Sequence, residues 1–199
     1  RLSQKIDSGS QGVVYEEDSG NFVVKLYHEE FASNHVIEQL RFVKQVKLPP
    51  NFVPVEDLLC EPHVGFVMKR VVGHEPLDVY LLPDPKQPFY KWYNKEKGFL
   101  CRLFLGRMIA TAFEKLESEN LSYCDISGKN ILVRTKNKAS VQMIDVDNIY
   151  VAGRGNPGVL GTPRYIAPEV VRGLNTPDIF SDNYSLAVIL YELLRVGSC

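Results

Sequence analysis

An α+β fold is expected, with antiparallel strands and one helix over residues 1–71 and a mainly helical part over residues 72–199. Three observations predict it. Short runs rich in Val, Ile, Phe and Tyr, separated by Gly/Ser turns, fill the first part. Helical periodicity dominates after Gly73. The switch between the two patterns falls at Arg70–Gly73.

Each element has a local reason. Lys5-Ile6 enters a Gly/Ser turn, Gly12-Val13-Val14-Tyr15 leaves it, and the run from Asn21 to Tyr27 follows a Ser-Gly turn, giving three strands within residues 1–28. Residues 33–47 form a helix. Ser33 or Asn34 offers an oxygen to an unpaired backbone N–H at its start. Val36, Leu40 and Val43 recur at helical spacing, and Pro49-Pro50 stops it. Residues 52–60 and 63–71 pair as a hairpin. Residues 99–117 form an amphipathic helix whose stripe is Leu100, Leu103, Phe104, Met108, Ala112, Phe113 and Leu116. Two short strands flank the Lys136-Asn137-Lys138 turn, a glycine-rich loop occupies 151–161, and residues 181–195 form a last apolar helix. No internal repeat is visible.

Composition narrows the function. The chain has 199 residues, 45% hydrophobic and 24% charged, enough for a real core. A net charge of −1 gives no electrostatic case for nucleic acid or a membrane surface. No apolar run reaches the roughly 20 residues needed to span a bilayer. Cys60, Cys101, Cys124 and Cys199 lie far apart, so reduced thiols and a cytoplasmic setting are expected, not a zinc site or disulfide framework.

Chemistry concentrates at Tyr123-Cys124-Asp125-Ile126-Ser127-Gly128-Lys129-Asn130. Asp125 and Asn130 close a polar loop that runs into the strand Ile131-Leu132-Val133, and the next strand delivers Asp145. This spacing can put one carboxylate on an incoming hydroxyl and two hard oxygen ligands on magnesium. Phosphoryl transfer needs those parts, because the protein contributes mostly positioning and charge neutralisation. Here the chain resembles the protein-kinase superfamily. The loop is similar to the kinase catalytic loop, with Tyr-Cys-Asp for His-Arg-Asp. Asp145-Val146-Asp147 stands where Asp-Phe-Gly would be, and Ala167-Pro168-Glu169 matches Ala-Pro-Glu within Gly161-Thr162-Pro163-Arg164-Tyr165.

The resemblance implies a two-lobed kinase fold, with nucleotide between an N-lobe (1–71) and a C-lobe (72–199) that ends on its central helix. It implies ATP and Mg2+ as cofactors and a protein substrate. Asp125 would be the base, Asn130 and Asp145 the metal ligands. Lys25 would contact the α- and β-phosphates and pair with Glu38, and Lys129 would supply charge in place of the usual lysine, now Ser127. Ile6, Gly9, Gly12, Val14, Val23, Lys25, Met68, Lys69, Val71 and Leu132 would hold nucleotide, Met68 as gatekeeper. Asp182 would brace the catalytic loop from below.

Plainer readings stand beside these. The Gly9–Gly12 segment also suits a hairpin turn, Lys25 an edge charge, Glu38 an exposed helix carboxylate, and the pocket residues a core. Asp182 also suits an N-cap, and Asp147 either a further metal ligand or a turn. Lys86–Lys95, mixing basic and aromatic residues, reads as a packed connector before the long helix. Cys124 replaces the arginine that normally reads activation-loop phosphate, and hydroxyls are few between Asp147 and Ala167 (Tyr150, Thr162 and Tyr165), so activation without phosphorylation is expected. Gly-Thr-Pro-Arg-Tyr points to serine/threonine substrates. A nucleotide-binding pseudokinase and a small-molecule phosphotransferase are the alternatives.

Overall fold

The central strand of a sheet must be apolar on both faces, and Phe22-Val23-Val24-Lys25-Leu26-Tyr27 meets that demand with one exception, Lys25. The computed structural model describes residues 1–95, 98–151 and 161–195. Residues 152–160 of the predicted glycine-rich loop, and Cys199, lie outside the described residues. The chain divides into two compact units, Arg1–Val72 and Gly73–Cys199.

In the first unit β1 (Leu2–Ser8), β2 (Gly12–Glu17), β3 (Phe22–Tyr27), β4 (Val55–Leu58) and β5 (Gly65–Lys69) form one antiparallel sheet in the order β1-β2-β3-β5-β4. The β4–β5 hairpin is shorter than 52–60 and 63–71. Pro54 before β4 and Pro62 in the connection cannot donate to a ladder. Helix α1 (Asn34–Gln45) begins at Ser33, whose Oγ accepts the Val36 N–H at 3.4 Å, and buries Leu40 and Val43.

Register decides which side chains meet. Gly12 lies opposite Tyr27 and Val14 opposite Lys25; on the other side of β3, Lys25 faces Phe66 and Val23 faces Met68. Directly paired residues share a face. One side of the sheet therefore carries Gly12, Val14, Val23, Lys25, Tyr27, Phe66 and Met68. A Cβ at Gly12 would lie 2.4 Å from the Leu26 carbonyl oxygen, so close strand approach requires glycine there.

The second unit contains β6 (Glu75–Pro76), α2 (Asp78–Leu81), α3 (Phe89–Tyr93), α4 (Phe99–Ser118), β7 (Leu121–Ser122), β8 (Ile131–Arg134), β9 (Ser140–Met143), β10 (Tyr150–Val151), α5 (Pro168–Val171) and α6 (Ile179–Leu194). Strands β6, β8 and β9 form one small sheet, and β7 pairs with β10. Helix α4 packs on α6, β7 and β9 and buries Arg102, Leu105, Gly106, Ile109, Ala112, Phe113 and Leu116. The predicted stripe is right in its second half and wrong in its first: Leu100, Leu103 and Phe104 are 69%, 47% and 50% exposed. Residues 99–105 are apolar nearly all round, so periodicity alone chose a face about a quarter-turn off. Gly106, where a Cβ would already lie 3.2 Å from a Leu190 methyl, fixes the true one.

Arg102 is fully buried. Its guanidinium lies 4.4 Å from the ring centroids of both Trp92 and Tyr93. It donates to the carbonyls of Tyr93 (3.3 Å), Leu193 (3.2 Å) and Tyr80. These carbonyls belong to the last turns of α3, α6 and α2, where the helix dipole is negative, so one cation serves three helix ends. The Lys86–Lys95 stretch is packed through buried Trp92 and Tyr93, with the Trp92 indole N–H donating to the Val79 carbonyl at 2.8 Å. Among the described residues no helix is long and apolar enough to cross a membrane.

Candidate active site

Loop 123–130 is strung between β7 and β8, and its geometry comes from beneath. Asp182 accepts the N–H groups of Tyr123 (2.5 Å) and Cys124 (2.9 Å) and the hydroxyl of Ser122 (2.9 Å). The N-cap reading of Asp182 is corrected: Asp178 caps α6 in a reciprocal box with Ser181, and the helix starts two residues ahead of its predicted position. Cys124 has a left-handed backbone (φ 67°), a conformation that non-glycine residues keep only when their surroundings impose it. The Asp182 bond to its N–H is one such constraint. Tyr123, fully buried, donates its hydroxyl to the Ile144 carbonyl and ties the loop to the segment that carries Asp145.

Asp125 emerges from this platform half-buried. Its Oδ1 accepts the Thr162 hydroxyl at 3.1 Å, and its Oδ2 accepts the Asn130 amide at 3.1 Å. The same amide also donates to the Asp125 carbonyl at 3.0 Å. Ser127, where a lysine is usual, is buried, and its Oγ accepts the Asn130 N–H at 3.4 Å; it shapes the loop and carries no charge. Lys129 is exposed. Gly128 is pressed against Asp78: a Cβ there would lie 2.0 Å from the Asp78 carboxylate. Asp145 is left-handed (φ 55°) and precedes a single 3-10 turn, Val146–Asn148.

Burial sets the electrostatics. It pushes the Tyr123 phenol well above its ordinary range, helped by Asp145, Asp125, Asp147 and Asp182, so Tyr123 is a permanent donor. Burial also pushes the Cys124 thiol up to about 12, which keeps it protonated and inert as a nucleophile. Asp182 is raised to about 6 by burial, against the pull of its three hydrogen bonds.

The residues fit a hard cation. Because the Asn130 nitrogen is committed to Asp125, its amide oxygen is the atom left for a ligand. Asp145, next to Ile144 whose N–H donates to the Asn130 carbonyl, would add a carboxylate. Magnesium is ordinarily held by one or two carboxylates, with waters and substrate phosphates completing its shell. Among the described residues no three His, Cys, Asp or Glu side chains cluster as a metal site, so Asp147 does not complete a three-carboxylate set; it is buried inside the 3-10 turn.

In the first unit, Gly9 and Gly12 close the β1–β2 turn through a 2.9 Å N–H to carbonyl bond. Ile6 is exposed on β1, Val14 half-buried, and Val23 and Met68 buried. Lys69 is exposed and pairs with Glu56 at 3.3 Å; Val71 lies just beyond β5. Leu132, half-buried, sits on β8 in the second unit. Lys25 is 7% exposed, its ammonium 5.5 Å from the Tyr27 ring and 5.9 Å from that of Phe66. Glu38, expected as the partner of Lys25, is exposed on α1. Helix α1 buries Leu40 and Val43, which turns Glu38 to solvent.

Three features had no motif to announce them: the Thr162–Asp125 bond, the Asp78–Gly128 contact, and the capture of Arg164 by Glu192, whose carboxylate also accepts the Tyr165 hydroxyl at 3.2 Å. Each joins residues distant in sequence.

The sequence matches the family model for the protein kinase domain over residues 1–197, and the chain belongs to that family. It is 28% identical to a "Probable serine/threonine-protein kinase" of Clostridium perfringens (strain 13 / Type A), over 97% of this chain and 28% of that protein. It is 26% identical to a "Probable myosin light chain kinase" of Dictyostelium discoideum, over 97% of this chain and 55% of the relative. A Caenorhabditis briggsae serine/threonine-protein kinase is 33% identical over 78% of this chain and 14% of its own length. The chain thus spans only part of each relative.

Proposed function

We propose that this domain transfers phosphate from ATP, with magnesium, to serine or threonine hydroxyls of proteins, with Asp125 as the base. The observation that carries this reading is the hydrogen bonding of Asp125. One carboxylate oxygen accepts an alcohol, that of Thr162, at 3.1 Å, while Asn130 holds the other. A substrate hydroxyl is the same donor chemistry as Thr162. Bound there, it would give its proton to Asp125 as its oxygen attacks the γ-phosphorus and the bond from that phosphorus to the bridging oxygen breaks, releasing ADP.

The remaining residues have supporting roles in this reading. Asn130 and Asp145 hold magnesium, which when bound neutralises phosphate charge. Lys129 and Lys25 add positive charge towards the phosphates. Gly9, Gly12, Val14, Val23, Met68 and Leu132 receive the nucleotide. A nucleotide-binding scaffold without transfer is the second reading; it draws on the neutral Ser127 where a lysine is usual.

The test is incubation of the protein with radiolabelled ATP and magnesium, with and without a generic protein substrate, beside Asp125→Asn. Label on serine or threonine that collapses in the variant is the expected result. Nucleotide binding by thermal shift with no transfer at all would leave the scaffold reading in its place.

A further inference from the structure

Close in sequence to Asn130 and Thr162, the two residues bonded to Asp125, stand the cations Lys129 and Arg164, which with Asp78 and Glu192 make a set of four charges that the proposed reaction does not use in full. Glu192 is nearly buried, its side chain 7% exposed, and it holds Arg164 through Nε at 2.6 Å and through Nη2. Arg164 is itself 47% exposed. Asp78 lies against Gly128, and the charges around it are Lys129, Arg164 and Glu192. Glu192 is therefore inside, Asp78 is half-buried, and the two cations face solvent. Lys129 is next in sequence to Asn130, and Arg164 is two residues from Thr162, the residue bonded to Asp125.

We infer that the substrate hydroxyl preferred by this domain is flanked by acidic residues, with Arg164 and Lys129 as the groups that receive them. The inference rests on the kinase reading above. Two physical points carry it. A basic substrate side chain needs a free carboxylate to receive it, and Glu192 is already paired with Arg164. An acidic side chain meets exposed positive charge and needs no prior ion pair broken, since Arg164 keeps unused N–H donors beyond those given to Glu192. Arg164 is moreover pre-positioned by Glu192, so little side-chain freedom is lost when it binds a second carboxylate.

The experiment compares two peptides that each hold one serine, identical except that Asp/Glu or Arg/Lys flank it within three residues. The expected kcat/KM is about tenfold higher for the acidic peptide at low salt, the scale of one or two exposed ion pairs. The gap should narrow at 1 M salt, where the screening length falls to about 3 Å. Arg164→Gln should lose most of the preference through the KM of the acidic peptide, and Arg164→Lys should keep it. Equal or reversed preference in the wild-type protein overturns the inference even if Arg164→Gln fails to fold. An unchanged preference in a folded Arg164→Gln removes Arg164 from it. Transfer to neither peptide nor to generic protein sinks the kinase reading itself, which separates the two failures.

Discussion

The two units hold their candidate functional residues by different means. In Arg1–Val72 Gly12, Val14, Val23, Lys25 and Met68 share a sheet face through strand register, and the one helical candidate, Glu38, stands in solvent. In Gly73–Cys199 they are tied by side-chain bonds: Asp182 to three donors, Asn130 and Thr162 to Asp125, Tyr123 to Ile144. Register survives most side-chain changes, whereas a buried hydrogen-bond network does not. Function and stability should therefore separate cleanly in the first unit and be entangled in the second, except at half-buried Asp125, whose bonds from Thr162 and Asn130 need an acceptor but not a charge.

That exception gives the largest expected effect. Asp125→Asn keeps an acceptor for Thr162 but cannot take a proton, so turnover should fall about 10²–10⁴-fold with little change in Tm. A large Tm loss would make Asp125 part of the brace and break the distinction. Asp182→Ala should cost roughly 3 kcal/mol or more in urea unfolding, since three buried donors lose their acceptor. The pH dependence sharpens this. The folded pKa of Asp182 is raised to about 6, so its contribution to stability is complete below about pH 4 and is lost as pH rises through 6. Asp182→Asn should flatten that part of the stability–pH curve.

Next in size is Arg102→Met, which fills similar volume but leaves three helix-end carbonyls without their donor; about 2 kcal/mol is expected by calorimetry. In the first unit the contrast lies within one turn. Gly12→Ala should cost about 1–3 kcal/mol because it forces β2 from β3. Gly9→Ala, whose Cβ would meet nothing nearer than 3.9 Å, should stay within about 0.5 kcal/mol. Equal costs would mean the turn, not the strand contact, sets the price. Glu38→Gln should shift stability by no more than about 0.5 kcal/mol, as for any exposed side chain.

What could be read from the chain was what is encoded locally. The Ser33 cap, the Pro49-Pro50 stop, the loop around Asp125 and the strands flanking it all depend on neighbours within a few positions. The antiparallel sheet with one helix followed by a mainly helical part was legible for the same reason. Where local signals tied, the reading slipped. Asp178 and Asp182 are both acidic residues at the start of α6, and only tertiary contact assigns one to the cap and the other to the brace. The first turns of α4 offered apolar residues on every side. Across longer spans nothing was visible: Ser122 meets Asp182 over 60 positions and Arg164 meets Glu192 over 28.

Arg102 has one more consequence, which concerns order of assembly. It reaches Tyr93 across 9 positions and Tyr80 across 22, but Leu193 across 91. Closing 91 residues rather than 9 costs about 2 kcal/mol more in chain entropy, from (3/2)RT ln(91/9). The guanidinium can thus gather α2 and α3 from local chain alone, and α6 docks onto an anchor that is already built.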